Sequence, residues 1–268
     1  MTEATICLDG ELIIKPNGVY TLAHFYEHPE TMRMVTLIGM IHFGDATYYA
    51  KINKLIASAD IIIFEASIHQ EAEKINDTEK ESYEQEELKK IYGESVEAAF
   101  FPALCLFFNK AQHYLKMVHE SESFDAKKDN WVAGDGKFGE LTKEKWQQEV
   151  DIMTQNLKNA PIEEKTLLCE FFKTGLSKIE NKTLQKIDFV NGLVLMENYP
   201  WLQRVMDDAM IGRRDELTFE TFDKIVNERS PNSVAIKFGA AHMSYQRRLL
   251  EQRKYIRKRS IELDAIAV

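Results

Sequence analysis

The sequence predicts an α/β protein with a mixed central β-sheet, made of two related strand-helix-strand halves with a helical insertion in the middle. Three observations predict it. Two apolar runs end in the same pattern, Gly39-Met40-Ile41-His42 and Gly239-Ala240-Ala241-His242. Each is followed by a helical pattern and then by a further apolar run, Ile61 to Phe64 in the first case and Ile261 to Val268 in the second. Between the two halves, from about residue 70 to about residue 185, helical periodicity dominates. The whole chain, 1–268, reads as one domain.

From the N-terminus, β-rich runs occupy Ala4 to Leu8, Glu11 to Ile14, Val19 to Phe25 and Met34 to Ile41, broken by Asp9-Gly10 and Pro16-Asn17-Gly18, as hairpin strands would be. The run Met34 to Gly39 is nearly continuous in apolar residues, which predicts a strand covered on both faces. A helix follows over Ala46 to Ala57, and Asp60-Ile61-Ile62-Ile63-Phe64-Glu65 is a second buried strand. Glu71 to Glu97 is highly charged and reads as a solvated excursion or lid. Helical patterns cover Glu94 to His119, Leu141 to Leu157, Ile162 to Lys178 and residues 187–211, while the turn-rich Asp129 to Gly136 presents Asp135 from something other than a helix. After Ser230-Pro231-Asn232 come the strand Ser233 to Phe238, a basic amphipathic helix over Gln246 to Arg259, and the closing strand Ile261 to Val268.

Composition narrows the function classes. A formal net charge of -9 disfavours nucleic acid and anionic membrane as partners. No stretch approaches the roughly 18 uninterrupted apolar residues of a membrane span, and Met1-Thr2-Glu3-Ala4-Thr5 does not begin like an export signal. The three cysteines, Cys7, Cys105 and Cys169, are few and scattered, as reduced thiols are; a cytoplasmic location is expected. Cys105 and Cys169 lie in apolar runs and are expected to be packed inside.

The chemistry-bearing residues gather at predicted strand ends, where sites form along the carboxyl edge of an open α/β sheet. Gly39 and Gly239 each precede a histidine by three residues and leave room for a close approach of backbone or ligand. His42 and His242 would then stand just past the sheet. Glu65 closes an otherwise apolar strand, where an ionised carboxylate is costly unless paired or bound to metal. Two imidazoles and a carboxylate suit a divalent ion such as Zn²⁺, Mn²⁺ or Co²⁺; without metal, Glu65 and a histidine form a general acid/base pair. His24, His28, His69, His113 and His119 lack a comparable setting, although His69 lies four residues past Glu65. The tryptophans Trp131, Trp146 and Trp201 read as packing anchors.

These residues resemble the TraB, PrgY, GumN and Tiki superfamily, which is marked by paired Gly-x-x-His motifs near the two ends of the domain and a glutamate ending the strand after the first. The segments that carry the resemblance are Val35 to Gly44, Tyr48-Tyr49, Ile62-Ile63-Phe64-Glu65 and Phe238 to Met243, within roughly residues 30 to 250. Asn130-Trp131-Val132-Ala133-Gly134-Asp135 resembles a family segment that usually ends His-Ala-Asp, so Ala133 stands where a histidine is usual. Glu197-Asn198 falls where an Arg-Asn pair is common, which makes Asn198 a supporting residue and Glu197 a departure. The resemblance implies a metal-dependent hydrolase of peptides or small amides or esters, with His42, Glu65 and His242 as metal ligands and catalytic residues and Asp135 as a further ligand or base. It equally accommodates a noncatalytic peptide- or signal-binding protein using the same cleft, and, third, a haem- or iron-binding protein.

Overall fold

The computed structural model describes residues 5–7, 11–65, 91–93, 95–135, 155, 158–197, 199, 201 and 211–268. The strands are β1 (Thr5–Cys7), β2 (Leu12–Lys15), β3 (Gly18–Glu27), β4 (Met34–Met40), β5 (Phe43–Gly44), β6 (Ile61–Phe64), β7 (Val118–His119), β8 (Trp131–Ala133), β9 (Ser233–Gly239) and β10 (Ile256–Ala267). The helices are α1 (Ala46–Ile56), α2 (Val96–Tyr114), α3 (Glu120–Ser123), α4 (Ile162–Glu180), α5 (Lys186–Glu197), α6 (Gly212–Arg229) and α7 (Met243–Gln252). The chain divides into two compact units, one of Met1–Ala66, Val118–Asp151 and Met206–Val268, the other of Ser67–Met117 and Ile152–Val205.

The first unit is the predicted mixed α/β sheet, in the order β1-β2-β3-β4-β9-β6-β8. Strands β1 to β4 form an antiparallel meander, and β4, β9, β6 and β8 run parallel. Strand β10 lies antiparallel along the whole of β3, on the edge opposite to the one that β2 and β4 share. It therefore runs in the direction of β9, so each Gly-x-x-His strand feeds a helix and then a strand of its own direction. The two crossing helices lie on opposite faces. Helix α1 buries Tyr48, Tyr49, Ile52 and Ile56 against Ala23, Ile38, Ile62 and Leu263. Helices α6 and α7 bury Phe219, Phe222, Met243 and Leu250 against Val35, Leu37, Ile63, Ile236 and Phe238. Side chains alternate between these clusters along β4 and β9, as the two-residue period of a doubly covered strand requires.

The second unit is helical among its described residues. Its centre is a cluster of rings, Phe107, Phe108, Phe171, Phe172 and Phe189, from α2, α4 and α5. Cys169 is buried there, as expected, but Cys105 is exposed, because it faces away from the buried stripe carrying Ala103, Leu106 and Phe107.

Other expectations need correcting. The basic segment is not one helix to Arg259: α7 stops at Gln252, Lys254 takes a positive φ of 64°, and Ile256 to Arg259 begin β10. The helix predicted to His119 ends at Tyr114, after which Lys116 turns the chain with φ 55° into β7. The segment before Asp135 is non-helical, as expected: it forms the short strand β8, paired with β6 and followed by the turn at Gly134. The charged stretch read as a lid falls largely, and the helix over Leu141 to Leu157 almost wholly, outside the described residues, as do His69 and Trp146.

Candidate functional site

The two Gly-x-x-His segments lie side by side, because β4 and β9 are parallel neighbours with Gly39 paired to Phe238 and Met40 to Gly239. Neither glycine needs a left-handed backbone: Gly18 is the one described glycine with positive φ, and Gly239 sits at φ -52°. Their value is space. The exit of β4 is held by two buried tyrosines of α1. Tyr49 donates to the carbonyl of Ile41 at 2.9 Å, and Tyr48, bonded to Thr21 Oγ1 at 3.0 Å, reaches the carbonyl of Gly39 at 3.4 Å. Burial drives both phenols well above their ordinary pKa, so they remain protonated donors. The exit of β9 is a 3-10 turn, Ala240–His242, running directly into α7.

His242 is buried and fixed. Its Nδ1 donates to Asp215 Oδ1 at 2.9 Å, and Gln246 Nε2 donates to the same oxygen at 2.6 Å. A carboxylate that takes the Nδ1 proton leaves Nε2 as the free nitrogen, and this atom lies 3.7 Å from Glu65 Oε1. Burial raises the Asp215 pKa, against His242, Gln246 and Arg214, which favour its charged form.

Glu65 is the hub. Oε1 accepts from Arg214 Nη2 at 2.7 Å and Oε2 from the backbone N–H of Gly239 at 2.8 Å. Burial alone would raise its pKa, but His42, His242 and Arg214 together with the Gly239 N–H hold it at about 2. Arg214 also donates through Nε and Nη2 to Asp135 Oδ2. Asp135 is delivered by the turn after β8, where Gly134 N bonds the carbonyl of Phe64 and Thr221 Oγ1 bonds the carbonyl of Gly134. A Cβ on Gly134 would stand 2.8 Å from Ile63 Cγ2 and 3.0 Å from Phe238 Cζ, so only glycine brings β8 this close.

His42 is different. Its side chain is half exposed, and Nδ1 faces Glu120 Oε2 at 3.5 Å. Glu120 opens α3 and is tied to the same loop by its N–H bond to the carbonyl of His42 at 3.0 Å. Burial of the ring works to lower the His42 pKa, but Glu120 and Glu65 outweigh it and lift the value to about 9. A Cβ on Gly239 would lie 3.5 Å from Glu65 Oε2 and 3.6 Å from His42 Nε2, so these two atoms flank one point. Lys237, on β9 opposite Phe64, is buried beneath this group, 4.1 Å from the centre of the Phe124 ring. Burial lowers its pKa, while Glu120 and Glu65 favour its charge.

His42, Glu65 and His242 therefore come together as expected, and Asp135 joins them through Arg214 rather than through a histidine. Asn198 and the side chain of Glu197 lie outside the described residues. The buried arginine of the site is Arg214 on α6, with Asp215 after it. Sequence reasoning missed Arg214, Asp215, Glu120 and Lys237. The lysine inside the apolar run Ser233 to Phe238 was the one clear signal. A cavity of about 430 Å³, walled by Asn53, Ile56, Asn130 and Trp131 among others, is lined by none of these site residues.

The donor chemistry suits a divalent cation. Among the described residues, the carboxylates Glu65, Glu120, Asp135 and Asp215 and the imidazoles of His42 and His242 gather around Arg214 and Lys237. Among the described residues no three such donors already stand at coordination spacing. No helix among those residues is long and apolar enough to cross a membrane. No protein-family model, no curated protein and no solved structure matches the chain.

Proposed function

We propose that this chain is a metal-dependent hydrolase of peptides or small amides or esters, of the TraB, PrgY, GumN and Tiki type, centred on His42, Glu65 and His242. One observation carries the reading: two histidines, each with Nδ1 turned to a buried carboxylate, place Nε2 near one ionised glutamate, that of His242 at 3.7 Å from Oε1 and that of His42 beside the same point at Gly239 as Oε2. Carboxylates behind the distal nitrogen are the usual support of metal-bound histidines, since they fix the tautomer and raise ligand basicity. His42 Nε2, His242 Nε2 and Glu65 would hold Mn²⁺, Co²⁺ or Zn²⁺. Such an ion lowers the pKa of a bound water and polarises the carbonyl under attack.

The protein's own groups have separable tasks. Asp215 and Gln246 lock the His242 ring, and Glu120 holds that of His42. Arg214 helps keep Glu65 ionised and ties Asp135 to it. The N–H of Gly239 orients Glu65 Oε2. With its pKa near 9, His42 carries a proton at neutral pH that must leave before its Nε2 can act as a ligand.

The test is metal analysis of chelator-stripped and reloaded protein, alongside hydrolysis of a peptide and ester panel by wild type, His42→Ala and His242→Ala. Stoichiometric Mn²⁺, Co²⁺ or Zn²⁺ with activity lost in both variants is expected. Absence of bound metal together with undiminished turnover in the variants would overturn the proposal. A second reading, a noncatalytic peptide- or signal-binding protein, is favoured by one fact: both oxygens of Glu65 are already held, by Arg214 and by Gly239. Ligand binding without turnover, unchanged by chelation, selects it.

A further inference from the structure

We propose that Ser260, His24 and Glu11 form a second, serine-based acyl-transfer site, separate from the His42/His242 centre. Ser260 on β10 and His24 on β3 are direct cross-strand partners. Ser260 Oγ lies 2.6 Å from His24 Nδ1, and His24 Nε2 lies 2.8 Å from Glu11 Oε2. The other oxygen of Glu11 faces Arg247 Nη1 of α7 at 2.9 Å. Three residues far apart in sequence thus make one continuous relay of nucleophile, base and carboxylate at hydrogen-bond spacing.

The direction of the relay is set by chemistry. An ionised carboxylate only accepts, so Nε2–H of His24 donates to Glu11, and Nδ1 is left to accept the Ser260 hydroxyl proton. The burial gradient runs the same way. Glu11 and His24 are 0% and 1% exposed, whereas Ser260 is exposed at the outer end. Burying polar groups costs stability unless they are bonded, so packing alone does not call for Glu11 and His24 here. Along β10 the pairing with β3 slips between Arg257 and Arg259, just before Ser260. Such irregularities re-aim side chains beside active sites. Among the described residues β10 forms a ladder with β3 alone, and the opposite edge of such a strand offers backbone N–H groups to a developing oxyanion.

In the step this arrangement supports, Ser260 Oγ attacks the carbonyl carbon of an ester while its proton passes to His24 Nδ1. The bond to the leaving alkoxy oxygen then breaks and that oxygen takes the proton from His24. Water, deprotonated by the same nitrogen, releases the acyl group as a carboxylic acid and restores the serine.

The full-length chain is treated with a fluorophosphonate reporter, and with p-nitrophenyl acetate in parallel, and the adduct is located by peptide mass mapping. One adduct per chain on Ser260 is expected, formed with loss of fluoride. Ser260→Ala removes it, His24→Gln and Glu11→Gln slow it on the order of a hundredfold, and His42→Ala with His242→Ala leaves it unchanged. Adducts confined to other residues, or equal labelling of Ser260 in a folded His24→Gln variant, would overturn the proposal. If neither His24→Gln nor Glu11→Gln folds, labelling of the wild-type chain in native buffer and in denaturant decides: labelling of Ser260 that requires the native fold supports the relay, and equal labelling of the denatured chain refutes it.

Discussion

The two Gly-x-x-His segments leave adjacent parallel strands, yet they deliver their histidines into opposite environments. His242 enters a 3-10 turn at the start of α7 and is buried against α6, with its Nδ1 bonded to Asp215. His42 follows an exit pinned by Tyr48 and Tyr49, yet its side chain remains half exposed and faces Glu120 at the longer distance of 3.5 Å. The shared motif determines where each chain leaves the sheet. The element that packs over the exit determines whether the histidine is part of the core. One centre thus has a rigid half and an adjustable half, joined by Glu65.

The sharpest way to break the comparison is to remove what the halves share. Glu65→Gln keeps the shape of the side chain but takes from Arg214 one of its two described carboxylate partners, Glu65 and Asp135, and leaves Gly239 N–H with a weaker acceptor. Removing one member of a buried ion pair costs about 3–5 kcal/mol, and hydrolysis should fall to background. Urea denaturation measures the first effect; an unchanged midpoint would show that Glu65 is not the hub.

Next in size is the contrast between the histidines themselves. His242→Ala opens a space beside Phe238 and leaves Asp215 with Gln246 alone among these bonds, for a loss of about 2 kcal/mol. His42→Ala, at a half-exposed position, gives up a pairing with Glu120 that solvent partly screens and should cost less than His242→Ala at neutral pH. Both variants should lose hydrolysis. Equal destabilisation by the two would erase the distinction between a rigid and an adjustable half.

This contrast also marks how much the sequence could tell. Strand order aside, the mixed α/β class, the two strand exits and the meeting of His42, Glu65 and His242 were legible, because apolar runs ending in glycine or glutamate are local patterns. Glu120, Arg214 and Asp215 were not, since charged residues in polar or amphipathic segments look like solvated surface until the fold turns them inward. Helix α6 is the instructive case. Its stretch Gly212-Arg213-Arg214-Asp215-Glu216 mixes exposed Arg213, paired with Glu216, with buried Arg214 and Asp215, and nothing in residue type separates the two arginines. The break between α7 and β10 was misread for a similar reason: alternating basic and apolar residues fit a helix face until Lys254 turns the chain.

The adjustable half makes a prediction about pH. The His42 pKa is raised from its ordinary 6.5 to about 9, so its pairing contributes fully below 6.5 and is lost as pH climbs through 9. Glu65, lowered from 4.5 to about 2, contributes fully above 4.5 and loses its contribution as pH falls toward 2. The stability difference between wild type and His42→Asn should therefore be flat between about pH 4.5 and 6.5 and shrink between 7 and 9. Proton NMR of the metal-free protein should give a His42 midpoint near 9 that falls in Glu120→Gln. A midpoint near 6.5 in both proteins would remove the basis for an adjustable half. The same proton provides a readout independent of turnover: metal uptake at neutral pH should release about one proton per chain, detectable with an indicator dye.

The smallest expected effect separates the two glycines. A Cβ at position 39 meets Met243 Cγ at 2.8 Å, and Met243, the first residue of α7, is fully buried, so Gly39→Ala should cost about 1 kcal/mol as that side chain gives way. A Cβ at position 239 finds ordinary contacts, 3.5 Å to Glu65 Oε2 and 3.6 Å to His42 Nε2, with an extended backbone that alanine also adopts. Gly239→Ala should therefore leave the melting temperature within the scatter of surface mutations. The methyl nevertheless occupies the point that Glu65 and His42 flank, where a metal or substrate atom would approach. Reduced metal affinity and turnover in an otherwise intact Gly239→Ala protein, set against a destabilised Gly39→Ala protein that still binds metal, is the expected pairing. The reverse pairing would mean that the space beside Gly239 serves packing, and that the site opens elsewhere.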